Sequence, residues 1–179
     1  MHDDDTPFRE PVPTFERPTL LNGCARAATA AEARFRVTYP NARGRSTRVI
    51  ALDAGGARIM EGVRGGPWTA ARFLRLAPRQ PDISPAEVIL LSLDGAEVRL
   101  TAELPGADLV VMVATSPHGR REAEIVGRLA REAAVMTAGL VLSDGDADEV
   151  VRAMRPTASV LVVTPDDDAL PALLSALRA

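Results

Sequence analysis

The sequence predicts an α/β domain in which a mostly parallel sheet carries helices on both faces. Two observations predict it. In the last third of the chain, apolar runs at 108–115, 135–143 and 159–164 alternate with helical stretches at 120–134, 144–154 and 166–178. The apolar runs are also continuous rather than alternating, as expected for strands buried on both faces. Right-handed crossovers between such strands set helices above and below the sheet, which gives a three-layer Rossmann-like arrangement.

Taken in order, residues 1–19 hold Pro7, Pro11, Pro13 and Pro18 among charges. Proline removes backbone donors and biases its predecessor away from helix, so an extended or disordered arm is expected there, ahead of a single domain over 20–179. The alanine density of 20–33 predicts a short helix, and the alternation Phe35-Arg36-Val37-Thr38-Tyr39 an edge strand. Residues 47–53 predict a strand that runs through Ala54-Gly55-Gly56 into a helix with Ile59, Met60 and Val63 on one face. The segment 68–76 reads as a further strand and the proline-bearing 77–86 as a loop. The apolar run 88–93, the turn Asp94-Gly95 and the alternation of 97–102 predict a hairpin.

In the helix predicted at 120–134, Ala123, Val126, Ala130 and Ala133 form one stripe. Glu124, Arg128 and Glu132 stand at i,i+4 spacing on another. The small residues Ala123, Gly127, Ala130 and Ala134 suit close packing, either on the chain's own sheet or against another subunit. Asp144 or Asp146 offers an N-cap to the helix of 144–154, and Asp166-Asp167-Asp168 caps the last one. The run beginning at Asp144 fails the EF-hand pattern, which needs glycine at its sixth position, where this chain has Glu149.

Composition narrows the chemistry. The chain has 179 residues, 46% of them hydrophobic, and a net charge of −3. All 21 basic residues are arginine. The absence of lysine excludes a Schiff-base lysine, a lysine general base and a phosphate-loop lysine, and it removes a working phosphoacceptor receiver. The acidic balance argues against nucleic acid as a partner. The single Cys24 fits a reducing, cytoplasmic setting. No apolar run reaches the roughly 18 residues that span a bilayer. His2 and His118 do not make a metal site.

Two strand-end loops have the composition of anion sites. In the first, Gly55 and Gly56 let the backbone approach a phosphate, with Arg58 at the helix start. The same pair also serves a tight strand-to-helix turn. In the second, Thr115 and Ser116 offer hydroxyls, Gly119 a close approach, and Arg120 and Arg121 guanidinium forks, beside the titratable His118. A capped surface loop would have the same composition. Any anion site in this chain must rest on backbone N–H groups and arginine.

The stretch Gly106-Ala107-Asp108-Leu109-Val110-Val111-Met112-Val113-Ala114 resembles the strand before the glycine-rich signature loop of the FtsZ/tubulin family's nucleotide-binding domain. Ala123 to Glu132 is similar to that family's following helix. Val135-Met136-Thr137-Ala138-Gly139-Leu140-Val141 is similar to its next strand, and residues 157–170 to its later strand and acidic turn. Val49 to Ala57 resembles a shortened first strand and glycine loop. The resemblance covers roughly two-thirds of the chain and lies in pattern more than motif. It implies a nucleotide-binding fold, with GTP or another nucleotide as ligand and with Gly55, Gly56 and Gly119 at phosphate-binding positions; a homo-oligomer is expected from the small-residue face of the 120–134 helix. The family's dense Gly/Thr loop is replaced here by residues 115–121, and its catalytic acidic loop and second domain have no counterpart, so GTP hydrolysis is not implied. The expected function is a non-catalytic nucleotide-binding or assembly module. The alternative is an enzyme acting on a phosphorylated or carboxylated small molecule, with His118 as acid/base and Arg120 and Arg121 as anion clamp.

Overall fold

The computed structural model describes residues 44–77, 88–145 and 147–179, all within the unit Arg43–Ala179. The expected arm, the helix at 20–33, the strand at 35–39, nearly all of the loop at 77–86 and the Asp146 cap lie outside the described residues.

Seven strands form one sheet: β1 (Thr47–Ala51), β2 (Ala71–Leu76), β3 (Ile89–Ser92), β4 (Glu97–Arg99), β5 (Leu109–Ala114), β6 (Met136–Leu142) and β7 (Val160–Thr164), in the order β4-β3-β2-β1-β5-β6-β7. The five strands β2-β1-β5-β6-β7 run parallel, and β3 and β4 add an antiparallel hairpin at one edge. The hairpin turns at Gly95, whose φ of 86° lies where side chains are disfavoured. From β1 the chain winds one way to β2 and later the other way through β5, so the sheet's topological switch lies between β1 and β5.

Strand residues alternate between two cores. Ile50, Val110, Met112 and Ala114 face one side and pack with α3 (Arg120–Glu132) and α4 (Asp148–Met154). Val49, Val111, Val113 and Leu140 face the other and pack with α1 (Ala54–Val63) and α5 (Ala169–Leu177). Every residue of β5, the central strand, is buried. The result is the three-layer Rossmann-like fold that the apolar runs predict. Among the described residues, no helix is long and apolar enough to cross a membrane.

Several boundaries differ from expectation for physical reasons. The alternation of 97–102 does not continue as a strand: β4 stops at Arg99, and α2 (Leu100–Glu103) makes one helical turn that buries Leu100 and Glu103. The buried Glu103 carboxylate, 6% exposed, accepts from Arg48 Nε at 3.0 Å and lies 2.9 Å from Arg72 Nη1. Arg48 is itself only 12% exposed and also donates to the Glu103 carbonyl and the Ser46 hydroxyl. That polar network outweighs the local strand pattern. Helix α4 begins only at Asp148, with Ala147 at the N-cap, so Asp144 does not cap it. Before α5, Asp168 of the acidic run holds the N-cap position but its side chain makes no capping bond, and Asp166 accepts from the Asp168 N–H within the turn.

On α3, Ala123, Val126, Gly127 and Ala130 are buried within the chain. A Cβ on Gly127 would overlap Thr157 Oγ1 and Cβ, so the small-residue face is already occupied by the segment that links α4 to β7. Of that face only Ala134 is exposed; its φ of 57° follows the end of the helix. This face is therefore not the one a second subunit could use.

Glu103→Ala is expected to destabilise the fold by about 3 kcal/mol, because it leaves the largely buried Arg48 charge without its carboxylate partner. Chemical denaturation checks this. Glu103→Gln, which keeps an acceptor, is expected to lose less.

Candidate functional site: an aspartate clasp at the sheet's switch point

Strand β1 ends at Ala51, and Asp53 follows as the N-cap of α1 with extended backbone (φ −144°, ψ 174°). Its neighbour across the switch is the end of β5, where Thr115 and Ser116 lead into a 3-10 turn (Pro117–Gly119) that runs on into α3. The Asp53 carboxylate accepts five hydrogen bonds: from Gly56 N (2.7 Å), Thr115 N (2.7 Å), Thr115 Oγ1 (3.0 Å), Ser116 N (2.9 Å) and Ser116 Oγ (3.1 Å). Backbone N–H groups at a helix start and at a strand-end loop are the donors with which such folds bind anions. Here a side-chain carboxylate of the chain itself takes them.

The glycines fit this geometry closely. A Cβ on Gly55 would overlap Thr115 Oγ1, and one on Gly56 would come within 2.8 Å of the Val113 carbonyl. Two adjacent glycines thus let the first turn of α1 lie directly on the end of β5, close enough for its capping residue Asp53 to reach Thr115 and Ser116. Gly119 has a similar role in the 3-10 turn, where a Cβ would sit 3.0 Å from that of Leu52.

The clasp divides the crevice at the carboxyl ends of the strands into two clefts. One, of about 400 Å³, lies over β1, β2 and the hairpin; Asp53, Arg75, Glu97, Arg121 and Glu122 line it together with apolar residues such as Leu76 and Ile125. Glu122 Oε2 is buried there without a hydrogen-bond partner. The other, of about 460 Å³, lies over the ends of β5, β6 and β7 and is lined by Gly55, Arg58, Thr115, Ser143, Asp144 and Asp167, among others.

The residues singled out in the sequence are therefore distributed as follows. Gly56, Thr115 and Ser116 bind Asp53, while Gly55, Arg58 and Thr115 meet at the second cleft. Arg121 lines the first cleft. Arg120 turns away to Glu124 (3.2 Å) and Glu149 (3.9 Å), tying α3 to α4. His118 is exposed on the 3-10 turn and lines neither cleft. The structure does not bring His118, Arg120 and Arg121 together around one space. Among the described residues, no group of three or more His, Cys, Asp or Glu side chains is placed to hold a metal ion.

Sequence reasoning passed over Asp53 as a site residue, and it passed over Ser143 and Asp167. The signal for Asp53 was present: an aspartate at a strand end, three residues before the N–H of a glycine in a helix start, is an N-cap pattern. Its second set of partners, 62 and 63 residues away, carries no local signal. No protein-family model, curated protein or solved structure matches the chain.

Gly55→Ala is expected to destabilise the protein by about 2 kcal/mol through overlap with Thr115. Gly62→Ala, within the same helix and with open space around its Cβ position, is expected to be neutral or stabilising. Thermal denaturation of the two variants side by side checks the contrast.

Proposed function

We propose that this chain is a non-catalytic assembly module, built on a nucleotide-binding type of fold whose central anion position is filled from within. The observation that carries the reading is the Asp53 carboxylate, which saturates the donors at the end of β1 and the end of β5. A bound phosphate at the same place would have to displace this charge or lie against it, and a second anion beside a partly buried carboxylate is repelled. The resemblance to the FtsZ/tubulin nucleotide-binding domain accords with the reading. The position of that family's glycine-rich loop is held here by Thr115 and Ser116, both spent on Asp53. The scattered orientations of His118, Arg120 and Arg121 favour a binding role over the enzyme alternative.

A second reading, nucleotide binding without hydrolysis, draws on one observation. The cleft over β5, β6 and β7 gathers Gly55, Arg58 and Thr115 within about 460 Å³, a size that accommodates a small ligand.

Thermal shift against GTP, ATP, NAD and inorganic phosphate separates the two. The assembly reading expects no stabilisation of the wild-type chain by any of them. Stabilisation by a nucleotide, growing with its concentration, overturns that reading in favour of the second. Asp53→Ala sharpens the test. It is expected to lower stability by about 3 kcal/mol, through loss of the cap and of the partners of buried donors. Phosphate or sulfate, entering the vacated position, is then expected to recover part of that loss in the variant and not in the wild type.

A further inference from the structure

The two edges of the sheet are built differently. β4, at one edge, is three residues long and presents Glu97 and Arg99 to solvent. Shortness and charge of this kind keep an edge from pairing with another chain. β7, at the other edge, is the five-residue Val-Leu-Val-Val-Thr, without charge or proline. Its outer side has no strand neighbour among the described residues. Val160 is 37% exposed and Val163 52%, and among the described residues these are the large apolar side chains that stand open. Three positions apart, they lie on opposite faces of the strand. Between them Leu161 packs against one core and Val162 against the other. The edge therefore offers an unpaired backbone with an apolar flank above and below it.

We propose that β7 pairs antiparallel with β7 of a second copy of this chain, joining two sheets across a two-fold axis. The proposal rests on the assembly reading and names its surface and its partner. Charge selects both the partner and the orientation. Exposed Arg155 precedes β7, and the exposed run Asp166, Asp167 and Asp168 follows it. A parallel pairing would set acid against acid at one end. An antiparallel pairing brings the acidic turn of each copy to the end where the other carries Arg155, and the symmetry repeats the match. With the axis at Val162, the turn that follows β7 in one copy lies at the end of the pair where the turn carrying Arg155 enters β7 of the other. Within the strand Val160 faces Thr164 and Leu161 faces Val163, so no like charges oppose one another.

Sedimentation velocity of the full chain over a concentration series tests this, with a monomer–dimer equilibrium as the expected result. Val163→Glu, at an exposed position, is expected to weaken dimerisation by roughly tenfold or more while the circular dichroism spectrum stays unchanged. Arg155→Asp and Asp167→Arg are each expected to weaken it, and the two together to restore it. A general loss of fold would not give that recovery. Failure of the double reversal to recover association overturns the antiparallel pairing. Association that persists unchanged in Val163→Glu and in both single reversals overturns the β7 surface and leaves the assembly reading standing. A chain that stays monomeric throughout overturns both.

Discussion

The carboxylate of Asp53 is the constraint on which this structure turns. It sits where the winding of the sheet reverses, and it ties the end of β1 to the end of β5 through donors from both sides of the switch. Parallel strands leave their carboxyl ends free, and the loops there diverge unless something holds them. In related architectures a ligand supplies that negative charge. Here the charge is covalently part of the chain, so the crevice is set without a ligand. The demand then propagates outward. Helix α1 must approach β5 closely, which requires the glycine pair. The loop after β5 must turn its N–H groups inward, which commits Thr115 and Ser116. What remains of the crevice lies on either side of the clasp, as two clefts of different lining.

The fold was legible in the sequence because its signal is carried by burial. Strands covered on both faces must be apolar throughout, and β5, with every residue buried, shows this most clearly. The elements misread are those whose conformation depends on a distant partner. The residues after Arg99 alternate as a strand would, yet they turn helical because Glu103 must reach Arg48, 55 positions away. The acidic entries to α4 and α5 looked like caps, but neither Asp144 nor Asp166 caps its helix end. Composition cannot say which of several acids a helix start will use. The site was half legible: its loops were found, but the polar groups in them were read as facing outward to a ligand. The aspartate that turns them inward belongs to the other loop, and no spacing rule links two loops more than 60 residues apart.

A chain without lysine makes all its cationic contacts through planar guanidinium groups, and the structure uses that geometry. Arg48 reaches three oxygens at once, on Glu103 and Ser46, from a site that is nearly closed to water. A fork with several fixed donors satisfies a buried carboxylate better than a compact ammonium. Arg120 bridges acids on two helices from an exposed position, where screening leaves such contacts little weight. The same residue type thus serves a structural ion pair inside the fold and marginal ones outside it, and burial decides which.

The backbone N–H of Arg45, just before β1, donates to the carbonyl of Arg178, just after α5, at 2.8 Å. The chain therefore enters and leaves this unit at one place. Such a unit can be opened elsewhere and rejoined across that point by a short linker, or set whole into a surface loop of a host domain, without stretching the backbone of either. The strap that closes the sheet's first strand against its last helix thereby makes the unit portable.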